Sequence, residues 1–174
     1  MYFIQMSGVP GSGKSTLAKA ISQNLDVVIV DHDTTKTALL EQVKDVLQNS
    51  EVGKVSYHLD WVIIESLMIQ NKNIIFDSPC LYEVIVEKGI HLADKYGYEY
   101  KYVECINKDF VEVSKRLSDR KAKLSQIKEF GSYEVFSKAL KNSKKPKNGA
   151  FIIVNSSKKL ETYLMEVLKY IRKT

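Results

Sequence analysis

A glycine-rich octapeptide near the amino end limits what this 174-residue chain can fold into. It reads Gly8-Val9-Pro10-Gly11-Ser12-Gly13-Lys14-Ser15, with Thr16 behind it, and this spacing fits a phosphate-binding loop. Gly11 and Gly13 allow backbone conformations that a β-carbon would forbid, so successive N–H groups can turn towards a phosphate. The pattern predicts a loop that binds a nucleoside triphosphate, with Lys14 on the β- and γ-phosphates and the Ser15 hydroxyl as a Mg²⁺ ligand.

The residues on either side of this loop predict a strand before it and a helix after it. Tyr2–Met6 is a short apolar run rich in strand-forming residues. After the loop, apolar residues recur at helical spacing: Leu17, Ala18, Ile21 and Leu25. A phosphate loop requires this order of strand, loop and helix. The alternative, a glycine-rich turn that contains Lys-Ser by chance, does not account for the order.

Apolar runs alternate with amphipathic segments along the rest of the chain. Strands are predicted at Val27–Val30, Ile74–Asp77, Tyr98–Ile106 and Ala150–Val154. Helices are predicted after Asp33, at Lys54–Gln70, Leu81–Tyr96, Phe110–Arg120, around Tyr133–Lys141, and at Leu160–Ile171. Asn49–Gly53 reads as a break, and the helix after it is expected to face inward with Leu59, Val62, Ile63 and Leu67. The alternation predicts one α/β domain over residues 1–174, with a parallel sheet covered on both faces.

Composition favours an ordinary globular protein of the cytoplasm. The chain is 44% hydrophobic and 27% charged. Its longest apolar runs, such as Val27–Val30, are far too short to span a bilayer, so no membrane partner is expected. Met1 stands directly before the first predicted strand, which leaves no room for a signal peptide. Cys80 and Cys105 are too few for a disulfide framework.

Charge is distributed unevenly along the chain. Residues 1–100 carry 8 Lys/Arg and 13 Asp/Glu, whereas residues 101–174 carry 18 and 8. Within the basic half, residues 121–147 contain 8 Lys and 2 Glu, with Gly131 and Pro146 as breakers. This segment is predicted to be a lid that closes over ATP and excludes water, or else a disordered surface loop. The basic half could meet the phosphates of ATP, of a product or of a nucleic acid, or be a solvated surface.

Charged residues beyond two predicted strands are candidates for the chemistry. Asp33 would orient and deprotonate an acceptor hydroxyl, unless it only caps a helix. Lys36, one turn further, would point towards an acidic acceptor or the γ-phosphate, unless it is a solvated lysine. Asp77 would hold Mg²⁺ or its water shell, unless it caps the next helix. His32 is a candidate wall residue of the acceptor pocket, and Cys80 is expected to be exposed beside it.

Two arginines lie where the basic segment begins. Arg116 and Arg120 are four residues apart on one helix face. Arg120 is the better candidate to reach over a bound nucleotide and stabilise the charge that develops during transfer. Arg116 is nearer the body of the helix, and this position predicts a structural role beside the nucleotide.

With these residues in place, the chain resembles the small P-loop kinases of the adenylate kinase-like superfamily. Its pattern is similar to that of a group containing predicted ATP-binding kinases, the polynucleotide 5′-kinase domain, chloramphenicol phosphotransferase and zeta toxins. The resemblance is carried by the loop Gly8–Thr16, by Asp33-Thr34-Thr35-Lys36, by Asn73–Asp77, and by Arg116–Arg120.

The resemblance implies a P-loop NTPase fold, a three-layer α/β/α sandwich with a five-stranded parallel sheet of order 2-3-1-4-5 and a basic lid. It also implies Asp33 as general base, Arg120 in the lid, and adenine between that Arg and the loop Asn155-Ser156-Ser157. Lys36 stands where the motif of the group usually ends in Arg, so bidentate phosphate recognition is lost.

The predicted function is therefore ATP- and Mg²⁺-dependent transfer of the γ-phosphoryl group to a hydroxyl of a small molecule or nucleotide. A polynucleotide 5′-hydroxyl kinase is the first alternative, and it would bind through the basic half. A nucleotide-binding regulatory module, or a slow NTPase that transfers nothing, is the second.

Overall fold

A parallel sheet forms the centre of the protein, as seen in a computed structural model that describes residues 1–43, 46–149 and 151–173. The strands are β1 (Tyr2–Ser7), β2 (Val28–Asp31), β3 (Ile74–Asp77), β4 (Glu99–Ile106) and β5 (Phe151–Asn155). The helices are α1 (Lys14–Ser22), α2 (His32–Val43), α3 (Asn49–Ile69), α4 (Glu83–Tyr96), α5 (Phe110–Asp119), α6 (Tyr133–Lys141) and α7 (Glu161–Arg172). The 5-stranded sheet has the order β2-β3-β1-β4-β5, which confirms the expected fold.

Strand β1 lies in the middle of the sheet and supplies side chains to both apolar layers. Phe3 packs with Trp61 of α3 and Leu92 of α4 on one face. Ile4 packs with residues of α1 and α7 on the other face. Successive side chains of a strand point to opposite faces, so an uninterrupted apolar run suits a strand that is covered twice. The chain therefore has the three layers that the sequence implies.

Helix α3 differs from its prediction in both its start and its inward face. It begins at Asn49 rather than Lys54, because Gln48 and Glu51 form a capping box. Its buried residues are Val52, Ser56, Asp60, Trp61, Ile64 and Met68. Val62 and Ile63, which were expected inside, are 51% and 43% exposed. The prediction was wrong because two polar residues, Ser56 and Asp60, lie within the buried stripe.

Two further expectations about burial are wrong. Strand β2 was predicted to be a buried strand, but it is an edge strand in which Val28 is 38% exposed. Cys80 was expected to be exposed, but it is 1% exposed, and its Sγ donates to the main-chain oxygen of Met6 at 3.3 Å. Burial raises the pKa of its thiol to about 12. Ala150, predicted to open the last strand, lies outside the described residues.

Two helical glycines provide a matched test of packing between α4 and β1. A β-carbon at Gly89 would lie 2.3 Å from Oε1 of Gln5. That oxygen accepts from the Tyr100 hydroxyl at 2.6 Å, so it cannot move without losing a hydrogen bond. We expect Gly89→Ala to lower the free energy of unfolding by about 1–3 kcal/mol.

Gly53→Ala is the control, because its β-carbon would meet only Nζ of Lys36 at 4.0 Å. It should raise the free energy of unfolding by about 1 kcal/mol through helix propensity. Urea unfolding of both variants measures the difference, and equal effects at the two positions would contradict this account of the interface.

Candidate active site

A large cavity opens at the carboxyl ends of the strands, where ligands bind in sheets of this kind. Its volume is about 1280 Å³. Pockets for one small ligand usually hold about 300–1,000 Å³, so this cavity has room for two. We call the part formed by the phosphate loop, α5 and the β5–α7 connection the nucleotide end. The part formed by α2, the start of α3 and the β3–α4 connection is the acceptor end.

The phosphate loop has the backbone that its glycines allow. Gly8 has a φ of 132°, and a β-carbon there would lie 2.3 Å from the main-chain oxygen of Cys105. Gly13 has a φ of 88° and directly precedes α1. Other loop residues form the cavity wall: Pro10, Gly11, Gly13, Lys14, Ser15 and Thr16. Ser12 lies beneath them, fully buried. The first N–H groups of α1 are thus available to an anion.

Ser15, Lys14 and Asp77 form a polar group at the foot of this loop. Asp77 is the last residue of β3 and is 5% exposed. Burial raises the pKa of its carboxyl, while the charge of Lys14 and a hydrogen bond from Ser15 act in the opposite direction. Helix α4 begins only at Glu83, so Asp77 does not cap it. A hydroxyl and a carboxylate are oxygen ligands that suit Mg²⁺, and the pair fits the predicted metal site.

Arg116 connects α5 to the loop after β5 at the nucleotide end. Its Nη2 donates to Oε1 of Glu112 at 2.5 Å and to the main-chain oxygen of Ser156 at 2.8 Å. Its Nη1 lies 3.9 Å from the β-carbon position of Gly13. Arg116 is therefore held rigidly beside the phosphate loop, and it lines the cavity as well as bracing its wall.

Arg120 follows α5 and also lines the cavity. Its Nη2 donates to the main-chain oxygen of Ile127 at 2.7 Å. Its Nε is buried and has no partner in the described part of the chain. Burial lowers the pKa of the guanidinium, and the charge of Asp33 opposes that shift. The side chain thus lies in the cavity wall within electrostatic reach of Asp33, and one of its buried donors has no partner in the described residues.

The residues after β5 divide between the cavity and the surface. Ser156 lines the cavity, and its buried hydroxyl has no partner among the described residues. Asn155 does not line it, because its Oδ1 accepts from the amide and hydroxyl of Ser157 at 3.1 and 2.8 Å. Lys158 and Lys159 also line the cavity and were missed. Their position after the last strand was the only signal in the sequence.

Asp33 lies at the start of α2 and contacts the basic segment rather than capping the helix. Asp31 makes the capping contacts instead, since its Oδ1 accepts from the amides of Asp33 and Thr34 at 2.9 and 3.3 Å. Oδ2 of Asp33 accepts from Nε2 of Gln126 at 2.7 Å. The Ser125 hydroxyl donates to the main-chain oxygen of Asp33 at 3.0 Å. The carboxylate of Asp33 is therefore oriented by the segment that was predicted to be a lid.

The segment 121–147 is ordered by two different kinds of contact. Its first part bonds to α2 through Lys123, Ser125 and Gln126. Its second part contains α6, with the predicted bounds Tyr133–Lys141, and buries Phe136 in an aromatic cluster. The alternative of a structureless surface loop is thereby wrong for the described residues. The function of the segment as a lid stays a prediction.

One buried pair at the acceptor end was not found from the sequence. Nδ1 of His32 lies 2.6 Å from Oδ2 of Asp60, which is fully buried in α3. The His32 ring is stacked on Tyr57 at 3.8 Å and 19°. His32, Tyr57 and Lys36 all line the cavity. Asp60 was missed because it lies 28 residues from its partner, within a helix whose inward face had been misread.

The chain belongs to the AAA domain family, whose model matches residues 3–145. No curated protein sequence matches it. Its fold is that of P-loop kinases, since it is similar to a candidate kinase from Chloroflexus aurantiacus, with a TM-score of 0.76, 13% identity and 98% of each chain covered.

Two further structures are similar. One is a sugar kinase from Janibacter sp., with a TM-score of 0.70, 12% identity, and 99% and 96% of the two chains covered. The other is the Mycobacterium tuberculosis APS kinase CysC in complex with AMPPNP and APS, with a TM-score of 0.60, 12% identity, and 99% and 97% covered. Within the residues that the structure describes, no helix is both long and apolar enough to span a membrane.

The contact between Lys123 and Asp31 makes the docking of the basic segment dependent on pH. Burial disfavours the ionised Asp31 carboxylate, but hydrogen bonds from Lys123 and Thr34 outweigh it and hold its pKa below the ordinary 3.8. A lowered acid pKa stabilises the folded state above the ordinary value, and this stabilisation is lost as the pH falls through the lowered one. We expect Lys123→Met to lower the free energy of unfolding at pH 7 by no more than about 1 kcal/mol, because the pair is partly exposed.

The difference between Lys123→Met and the unmodified protein should shrink as the pH falls below 3.8. Denaturant unfolding at pH 7, 5 and 3 measures the difference in the free energy of unfolding. Lys128→Met is the control, since Lys128 is an exposed lysine of the same segment. If the two variants lost equal stability at pH 7, the contact with Asp31 would contribute nothing.

Proposed function

We propose that this protein is a kinase that transfers the γ-phosphoryl group of ATP, with Mg²⁺, to a hydroxyl of a small molecule or nucleotide. One observation carries the proposal: a single cavity contains both a phosphate loop and, across from it, an oriented carboxylate, Asp33. Phosphoryl transfer needs positioning and neutralisation of charge, together with a group that orients the acceptor. The cavity supplies residues for each.

At the nucleotide end, the loop amides and Lys14 would bind the phosphates of ATP. Mg²⁺, when bound by Ser15 and Asp77 together with the phosphates, would neutralise their charge. Arg120 lines the cavity and would stabilise the transferring group through the charge of its guanidinium, while Arg116 holds the wall beside Gly13. Adenine would lie near Ser156 and the Lys158-Lys159 pair rather than on Asn155, which faces away.

At the acceptor end, Asp33 would accept the proton of the attacking hydroxyl. The acceptor oxygen bonds to the γ-phosphorus as the bond from that phosphorus to the β–γ bridging oxygen breaks, and ADP leaves. Gln126 keeps Oδ2 of Asp33 in place at 2.7 Å. Oδ1 has a longer contact with the Ser125 hydroxyl, at 3.4 Å, and is the oxygen that would accept the proton. Closure of the segment 121–147 would exclude water from this transfer.

The similar structures support a small-molecule acceptor. The Janibacter protein is a sugar kinase, and the APS kinase was solved with AMPPNP and APS. A polynucleotide 5′-hydroxyl kinase remains the alternative that the basic half would serve, and it predicts binding that weakens steeply with salt. A nucleotide-binding module or slow NTPase would release ADP at the same rate with and without any acceptor.

Asp33→Asn separates a kinase from a nucleotide-binding module, and the choice of acceptor separates a small-molecule kinase from a polynucleotide kinase. ADP release is first screened over hydroxyl compounds, nucleosides and oligonucleotides to find the acceptor. With that acceptor, we expect kcat to fall by about 100-fold or more while ATP affinity is unchanged, because Asp33 acts on the acceptor and not on the nucleotide. Calorimetry measures the affinity and a coupled assay measures the rate.

Asp26→Asn is the matched control, since Asp26 is exposed and lies before β2, at the amino ends of the strands and away from the cavity. Lys14→Met should instead abolish ATP binding. An Asp33→Asn enzyme with unchanged kcat would rule out Asp33 as the base.

Asp77→Asn should change activity and stability in opposite directions. The raised pKa of Asp77 means that its ionised form is disfavoured in the folded state, so it lowers stability at neutral pH. The neutral amide removes that penalty, and we expect a melting temperature that is unchanged or higher without ligands. Turnover should fall by about 100-fold or more, with a higher requirement for Mg²⁺. A destabilised variant with a normal Mg²⁺ requirement would contradict both parts.

A further inference from the structure

The cavity has a large excess of positive charge. Its described lining residues include seven Lys and Arg but one carboxylate, Asp33. Five of these cations lie at the nucleotide end, where the phosphates of ATP would meet them: Lys14, Arg116, Arg120, Lys158 and Lys159. Lys36 and Lys54 lie at the acceptor end, on α2 and α3. Two cations and one carboxylate therefore surround the acceptor.

Lys36 is the better placed of these two cations. Its Nζ lies over α3, 4.0 Å from the β-carbon position of Gly53. Neither Lys36 nor Lys54 has an ion pair or a hydrogen bond to another residue of the described ranges. Lys36 is half-buried, whereas Lys54 is exposed. A half-buried ammonium group without a protein partner is a natural contact for a ligand anion.

His32 presents a second unused polar atom to the same place. Its Nδ1 is held by Asp60, which is fully buried and whose Oδ1 has no partner within the described ranges. Since Oδ2 of Asp60 accepts, Nδ1 carries the hydrogen, and Nε2 is the atom left for the cavity. Nε2 has no protein partner there and is not among the fully buried unpaired atoms, so it reaches the cavity wall. Stacking on Tyr57 fixes the ring in this orientation.

His32 and Lys36 are four residues apart on α2, so their side chains lie on one face of the helix. Asp33 is next to His32 and belongs to the same first turn. An anion between His32 and Lys36 would bring the rest of the acceptor past Asp33. Nε2 of the neutral ring is an acceptor, so an anion binds there together with a proton on Nε2. The imidazolium would then lie between the anion and the Asp60 carboxylate behind it.

We propose that the acceptor carries an anionic group, a carboxylate or a phosphate, which is bound by Nε2 of His32 and Nζ of Lys36. His32 and Lys36 are then specificity residues, and Asp60 is a positioning residue that acts through His32. The role of the acceptor hydroxyl rests on the proposed kinase function, but binding of the anion does not.

Imidazole ¹⁵N spectra test the anion site without any turnover. The chain has 3 His, and the other two, His58 and His91, are exposed outside the cavity and serve as internal references. With MgADP saturating the phosphate loop, inorganic phosphate and acetate are titrated separately. We expect the His32 signals to shift towards the protonated form and to saturate, while those of His58 and His91 stay in place. The probe with the lower Kd shows whether phosphate or carboxylate is preferred.

Lys36→Gln should raise the Kd of the preferred probe by at least about tenfold. Lys72→Gln, which removes the same charge at an exposed turn near the amino ends of the strands, should leave it unchanged. Asp60→Asn should weaken binding and should also change the His32 signals before any probe is added. His32→Gln has no imidazole to observe, so calorimetry measures its Kd, which should rise by at least about tenfold. If Asp60→Asn does not fold, this Kd still decides the matter. His32 signals that respond to neither probe would overturn the proposal.

Matched acceptors then test specificity in the kinase reaction. Glycerol 3-phosphate is compared with glycerol, and gluconate with sorbitol. We expect kcat/KM to be at least about tenfold higher for the anionic member of a pair, and His32→Gln to raise the KM of that member without changing the KM of ATP. Equal or better use of the neutral members would overturn the proposal. Absence of turnover with all four would count against the kinase function, while the ¹⁵N titration would still decide the anion site.

Discussion

Parallel pairing around β1 is the constraint on which the site depends. Strands β1, β2 and β3 run in the same direction, with Asp31 opposite Asp77 in the register. The residues that follow each strand therefore meet at one edge of the sheet. The phosphate loop follows β1, whose residues Phe3 to Ser7 are all buried, so its position is fixed by apolar packing on both faces. Groups that are distant in the chain, such as Lys14 and Asp77, can act on one substrate because the order of the strands brings them to the same end of the sheet.

Two carboxylates near this edge are buried at some expense to the fold. Asp77 lies beneath the phosphate loop and Asp60 beneath the acceptor end, and each faces a side chain that can carry positive charge. An apolar residue at either position would pack at lower cost. Proteins commonly keep buried charged residues at sites that bind charged ligands, although the core otherwise favours apolar side chains. Neither carboxylate lines the cavity, but each interacts with a residue that does, Ser15 for Asp77 and His32 for Asp60. Two such exceptions behind one cavity are a stronger indication of a function than either would be alone.

The sequence predicted what depends on local pattern. The loop, the existence of every strand, the bounds of α6 and the places of Asp33 and Asp77 all followed from spacing or from strand ends. The inward face of α3 did not, because Ser56 and Asp60 replace apolar residues in its buried stripe. The His32–Asp60 pair and the contacts of Gln126 with Asp33 join distant segments. No periodicity encodes such pairs, since they arise only when packing brings the elements together.

The division within the segment 121–147 has a mechanical consequence. Residues 123–126 are fastened to α2 and Asp31 by hydrogen bonds and by the partly exposed Lys123–Asp31 ion pair. Water can replace such polar contacts at a small net change in free energy. Phe130 and Phe136, by contrast, are anchored among apolar side chains that include Val9 of the phosphate loop. If the segment acts as the predicted lid, its front would detach while its rear stays in contact with the aromatic cluster. Ligands could then enter and leave through this opening while the aromatic cluster stays buried and the phosphate loop keeps its position.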